Sequence, residues 1–177
     1  GGSAGYGLRR VLVDQAGKTK GTLKFGEHKS LQTDRVVLMP GPEEEQTTVR
    51  EIYAVFLDQG KSEREIADDL NSRKIVTDLG RPWTRGTVHQ VLTNEKYIGN
   101  NVYNRISFKL KKHRVINDQQ MWIKKESAFE AIVPSESFYT VQGMIRARNH
   151  RFTNEELIEK LRSLYQSRGL LSGLIIN

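Results

Sequence analysis

Residue types that ordinarily do chemistry are present in this chain, but their spacing does not gather them into a reaction centre. The four histidines, His28, His89, His113 and His150, are scattered, and none forms a ligand pair of the HExxH kind. With no cysteine, thiolate zinc sites and a disulfide framework are excluded within these residues. Asp68 and Asp69 read as solvated charge on a helix surface, and no serine has an activating partner at a recognisable spacing. A phosphate-binding glycine motif is also missing. The residues therefore lead us to expect no catalytic group, no metal and no cofactor.

What remains is cationic chemistry. The chain of 177 residues carries 28 Lys+Arg against 21 Asp+Glu, a net charge of +7. Residues 105–125 hold seven of the cations (Arg105, Lys109, Lys111, Lys112, Arg114, Lys124 and Lys125) and one acid, Asp118. Such a cluster suits a polyanion, most often nucleic acid, and equally a solvated charged hairpin. A second signal lies just upstream. In the helix expected over 84–93, Val88, Val91 and Leu92 share one face, whereas Gly86, His89, Gln90 and Thr93 share the other. An idle surface helix fills its outer face with Glu and Lys pairs. This one carries side chains able to hydrogen-bond base edges, with Arg85 and Thr87 in its first turn.

The elements that must position these groups are legible from periodicity and punctuation. Two β-prone runs, 10–13 and 35–39, predict a small sheet within 5–41, with a turn at Asp14-Gln15-Ala16-Gly17 and a polar excursion over 18–33. Pro42, placed at the first helical position, and Glu43, Glu44 and Glu45 start a helix rather than a metal site. Val49, Ile52, Tyr53 and Phe56 give it one apolar face, ending near Gly60. Ser62-x-x-Glu65 is a capping box for a second helix buried through Ile66, Ala67 and Leu70, and Thr84 caps the third. Three helices over 42–94 outline a helix-turn-helix core, and 100–126 reads as a basic wing. A closing helix over 134–149 turns Phe138, Val141 and Ile145 inward. Thr153-x-x-Glu156 begins a further amphipathic helix through Leu157, Leu161 and Leu164 in a truncated module over 150–177. Trp83, Tyr97 and Ile98 read as core. The fold class expected is α+β and mainly helical, a winged helix-turn-helix-like domain with a small N-terminal sheet and C-terminal helices.

The order of landmarks Ser62-x-x-Glu65-Ile66-Ala67-x-x-Leu70-Asn71, Ile75-x-Thr77-x-x-Gly80-Arg81-Pro82-Trp83-Thr84-x-x-Thr87-Val88-x-x-Val91-Leu92-x-Asn94-x-x-Tyr97-Ile98-Gly99 resembles the DNA-binding recombinase domain of large serine recombinases. Gly5-Tyr6-Gly7 and Ile132-Val133-x-x-Glu136-x-Phe138 extend the resemblance over residues 5–149. It implies a domain binding half-sites of double-stranded DNA for integration or excision. The nucleophilic serine would then belong to an upstream domain, with self-association as dimer and tetramer in the full-length protein. Two features depart from the family pattern: 14–40 is longer than its usual hairpin, and the cysteine-rich zinc module often found downstream is absent from these residues. A winged-helix transcription regulator and a basic protein-interaction module are the alternatives. The first residues, Gly1-Gly2-Ser3-Ala4-Gly5, lack an initiator Met and a signal pattern, so the sequence reads as a piece of a longer protein. The longest apolar run, Val36-Val37-Leu38-Met39, is far short of the roughly 18 residues a span needs. A cytoplasmic, nucleoid-associated protein with no membrane contact is expected.

Overall fold

The computed structural model describes residues 4–149, apart from 25, 30, 32 and 110–112, together with 158, 159 and 161–163. It divides into two compact units, Gly1–Gln142 and Gly143–Asn177.

The first unit opens with an antiparallel sheet of β1 (Leu8–Val13), β2 (Thr19–Leu23) and β3 (Arg35–Pro40) in the order β2-β1-β3. Strands β1 and β3 are the two expected. Strand β2 corrects the reading of 18–33 as a polar excursion: it is an edge strand, exposed along almost its whole length. With no face to bury, it leaves no apolar alternation to detect. The Asp14 turn holds as expected. Asp14 Oδ1 accepts from the Lys18 N–H at 2.8 Å, and Gly17 takes φ +82°.

Helix α1 (Glu43–Asp58) begins one residue later than expected, with Pro42 outside it as the cap residue at ψ 142°. The acidic first turn favours the helix dipole, and it does one thing more. Glu45 accepts from the Gly7 N–H at 3.0 Å and from both terminal nitrogens of Arg9 at 2.8 and 2.6 Å, tying β1 to the helix. Val49, Ile52, Tyr53 and Phe56 are buried as the spacing required. Helix α2 (Glu63–Ser72) carries the capping box at Ser62 and buries Ile66, Ala67 and Leu70. Helix α3 (Arg85–Thr93) follows an excursion of the chain and is capped by Thr84.

Beyond α3 a 3-10 turn (Glu95–Ile98) buries Tyr97 and Ile98 and ends on Gly99 at φ +79°. The expected single hairpin is two nested ladders. Strand β4 (Asn101–Tyr103) pairs with β7 (Ile123–Lys125), and inside them β5 (Ile106–Lys109) pairs with β6 (His113–Ile116). The break falls at Asn104, in the left-handed region at φ +62°. Such a break is invisible to alternation, because both flanks remain β-prone. Helix α4 (Ser135–Asn149) buries Phe138 and Val141, while Ile145 is half-buried.

The second unit comprises the end of α4 and the helical residues 158, 159 and 161–163, with Ile158 and Leu161 exposed. The Thr153 cap, Leu157, Leu164 and the rest of that expected helix lie outside the described residues.

Gly99 closes the base of the nested ladders. Its carbonyl accepts from Ala128 N–H at 2.8 Å and from Phe129 N–H at 3.3 Å, while the Tyr97 carbonyl accepts from Ile132 and Val133. A Cβ at Gly99 would stand 2.4 Å from the Phe129 carbonyl oxygen. Gly99→Ala therefore combines left-handed strain with a backbone clash, and should lower unfolding free energy by about 2–4 kcal/mol. A denaturant midpoint equal to that of the parent chain would contradict this packing.

Candidate nucleic-acid interface

The placement of α3 begins at Asn71, the last asparagine of α2. Its side-chain amide donates to the Trp83 carbonyl at 2.9 Å, and its oxygen accepts from the Trp83 N–H at 2.8 Å. The excursion between α2 and α3 is thus returned to the end of α2, one residue before the Thr84 cap. Trp83 is 3% exposed and meets Tyr6 edge-on at 4.8 Å between ring centroids, which makes it the core anchor the sequence suggested. Thr84 and Thr87 then bond reciprocally as a capping box. Behind α3, Val88, Val91 and Leu92 are buried, and the Val91 carbonyl accepts from the buried Tyr53 hydroxyl at 3.0 Å. Burial pushes the Tyr53 phenol far above its usual range, so it acts as a donor at any ordinary pH. Gln142 Nε2 donates to the Leu92 carbonyl at 2.7 Å.

The outer face of α3 divides into two stripes. Gly86 and Gln90 are exposed, and neither carries a charge. A Cβ at Gly86 would meet only Thr84 Oγ1 at 3.8 Å, so neither packing nor a positive φ requires glycine there. Thr93, half-buried, bonds back through its hydroxyl to the His89 carbonyl at 2.8 Å. The second stripe is engaged. Arg85 Nε lies 3.3 Å from Glu63 Oε2, and His89 Nδ1 lies 2.8 Å from Glu63 Oε1. The sequence reading left Arg85 and His89 as free outward groups and did not single out Glu63. That acid sits in the first turn of α2, where a carboxylate already has a reason to be, and it is 22 and 26 residues from its partners.

A groove of about 730 Å³ runs beside α3. Its lining includes Thr87, Gln90 and Asn94, Asp78 and Arg81 of the α2–α3 excursion, and Lys96 and Arg105. Burial and the nearby Arg105 and Arg10 charges push the Lys96 ammonium below the usual lysine range. Sequence reasoning missed this groove because its walls come from four separated segments.

The basic segment is partly spent on its own structure. The Arg105 guanidinium carbon sits 4.6 Å from the centroid of the Trp122 ring, and Nη2 lies 3.9 Å from Glu95. Lys124 Nζ pairs with Glu95 at 2.8 Å and Glu126 at 3.4 Å. Asn117, 9% exposed, is the hub beneath: its amide donates to the Asn104 carbonyl at 2.8 Å, its side-chain oxygen accepts from Ser107, and its carbonyl accepts from Trp122 Nε1. Arg114 and Lys125 are exposed, with no ion pair among the described residues. Lys109 belongs to β5, while Lys111 and Lys112 lie outside the described residues. Among the described residues no group of His, Asp and Glu could hold a metal ion, and no helix is long and apolar enough to cross a membrane.

This is an α+β domain in which a three-helix core presents one polar helix face, with Arg85 as its single Lys or Arg, beside nested β-ladders. The chain belongs to the Recombinase family, which it matches over residues 43–148. That meets the expectation raised by the landmarks between Ser62 and Gly99. No curated protein matches. Among solved structures, "Crystal Structure of a LSR-DNA Complex" aligns at TM-score 0.46 and 19% identity, over 72% of this chain and 33% of that one. "Sequence Requirements of the Listeria innocua prophage attP site" aligns at TM-score 0.40 and 20% identity, over 70% of this chain and 44% of that one. The chain thus spans a third and less than half of the lengths of these two.

Two carboxylates in this region hold their protons less tightly than usual. Burial pushes the Glu63 carboxyl up, but hydrogen bonds from His89 and Arg85 outweigh it and leave the group below the usual range. At Glu95 burial likewise raises and Lys124 and Asn100 more than offset it. A folded-state value below the unfolded one means that the unfolded chain binds more protons on acidification. The stability these groups contribute is therefore complete above the ordinary carboxylate range and lost as pH falls through and below it. Denaturant midpoints should drop below about pH 4.5, and the double variant Glu63→Gln, Glu95→Gln should flatten that drop. An unchanged acid slope in the double variant would assign the acid sensitivity elsewhere.

Proposed function

We propose that the chain is the DNA-recognition domain of a serine site-specific recombinase, binding recombination half-sites as a winged helix-turn-helix. In this reading α3 enters the major groove, with Arg85, Gly86, Thr87, His89, Gln90 and Thr93 toward the bases. The nested ladders lie along the phosphates through Lys109, Lys111, Lys112 and Arg114, and Arg105 braces their root. Gly86 carries the reading: a glycine in a helix costs up to about 1 kcal/mol relative to alanine, less in the first turn where Gly86 stands, and nothing among the described residues explains it. Close approach of another backbone or a base edge does explain it. Family membership and an outer face that is polar apart from the single charge of Arg85 support the same conclusion.

Strand cleavage belongs, in this reading, to a serine-bearing domain of the full-length protein, which works in the nucleoid as a dimer and tetramer for integration or excision. Residues 1–149 form the recognition domain and 150–177 begin a further helical module.

The reading makes Gly86→Ala change stability and binding in opposite directions. The variant should gain up to about 1 kcal/mol in unfolding free energy and lose affinity for duplex DNA. Gln90→Ala should reduce discrimination between sites by about 1–3 kcal/mol if its amide makes a bidentate base contact. Arg114→Ala should weaken all duplexes alike and lower the log–log salt slope by about 0.9. Fluorescence anisotropy across a salt series separates these outcomes. A wild-type isotherm indifferent to salt, or a Gly86→Ala variant that binds as the parent does, would sink the proposal.

A further inference from the structure

Glu63 touches both Arg85 and His89 of the α3 outer face, one with each carboxylate oxygen, and its side chain is only 14% exposed. As an ionised carboxylate it can only accept. His89 Nδ1, 2.8 Å away, must therefore carry the proton of that hydrogen bond. A neutral imidazole has one N–H, so Nε2 is left with its lone pair. No hydrogen bond to Nε2 is made among the described residues, and the His89 side chain is 44% exposed. Arg85, held among the described residues through Nε at 3.3 Å, has terminal nitrogens left for other acceptors.

We propose that Glu63 is a positioning residue that sets what α3 offers to a base pair: it holds His89 as the Nδ1–H tautomer, with Nε2 as an acceptor for the exocyclic amine of adenine or cytosine. This rests on the DNA reading above and sharpens it. Without the carboxylate the same ring would present an Nε2–H donor for part of the time, and a donor seeks guanine N7 and O6, adenine N7 or thymine O4 instead of an exocyclic amine. A residue of α2 that never meets DNA thereby fixes the hydrogen-bonding polarity of one position on α3, as outer partners fix the tautomer of metal-bound histidines.

Two readouts test it on the 177-residue chain. The first is 15N NMR of the His89 ring at about pH 8, where an ordinary imidazole is neutral. The wild-type ring should carry its proton on Nδ1. Glu63→Ala should move it toward Nε2, and Glu63→Gln, whose amide can accept or donate, should give a mixture. The Gln variant keeps the side-chain shape and leaves the Ser62 cap intact, so it serves if the Ala variant fails to fold. The second uses a duplex enriched by the wild-type chain from a randomised pool, together with its series of single base-pair substitutions. Glu63→Ala should lose about tenfold discrimination at one pair, the pair also flattened by His89→Ala, with the salt slope unchanged. A wild-type His89 protonated on Nε2, a tautomer indifferent to both substitutions, or a uniform loss at every base pair would overturn the inference. Failure of the wild-type chain to enrich any duplex would overturn the proposed function instead, and the ring spectrum would still decide the tautomer.

Discussion

The arrangement of the helical core turns on the pair of hydrogen bonds between the Asn71 side chain and the Trp83 backbone. The chain leaves α2, reverses through Lys74 at φ 58°, passes Gly80 at φ +67° and returns to where it left. An amide is suited to this task because it offers one donor and one acceptor in a plane and satisfies both backbone groups of a single residue. Aspartate would leave the carbonyl unpaired, and leucine would leave both groups so. With Trp83 held, its indole is delivered against Tyr6, and the next residue is in place to cap α3. The direction of the outer helix face follows from a contact made on the inside.

Much of this was legible from sequence, for reasons that differ by element. The buried faces of α1, α2 and α3 could be read because each repeats apolar residues on one side, and their starts because Ser62 and Thr84 are followed at three residues by Glu65 and Thr87. Strand β2 was not legible, since an exposed edge strand has no reason to alternate. The split of the wing at Asn104 was hidden by a single backbone torsion. The site was legible as a set of residues on α3 but not as a set of interactions. Periodicity says which way a side chain leaves a helix, and it says nothing of what another helix places opposite. Glu63 is the instance: its local role at a helix start conceals its partners across the turn.

The same distinction applies to charge. Seven cations over 105–125 suggested a strip of free positive charge, yet Arg105 and Lys124 share Glu95, and Arg105 lies against Trp122. A half-buried arginine stacked on an indole and facing a carboxylate serves chiefly to hold the root of the ladders rigid. Among the described residues the exposed cations without an ion pair are Arg114, in the inner ladder, and Lys125, at the base of the outer one. A count of basic residues therefore overstates the field that a folded segment projects.

The hydrogen bonds that join Gly99 to Ala128 and Phe129 have an architectural consequence. They bring the two ends of the intervening segment side by side, so the entropy of closing that segment is met at its base and not by its interior. Lengthening such a closed segment costs little, about 0.6 kcal/mol for each doubling. Apart from the pairs that Arg105 and Lys124 make with Glu95, the helical core is thus insulated from what is carried farther out between positions 99 and 128. Insertions, deletions or an exchanged hairpin there alter reach and charge while the helices beneath keep their packing. The domain has in effect a fixed frame and a replaceable attachment, and diversification can proceed in the attachment without unsettling the frame.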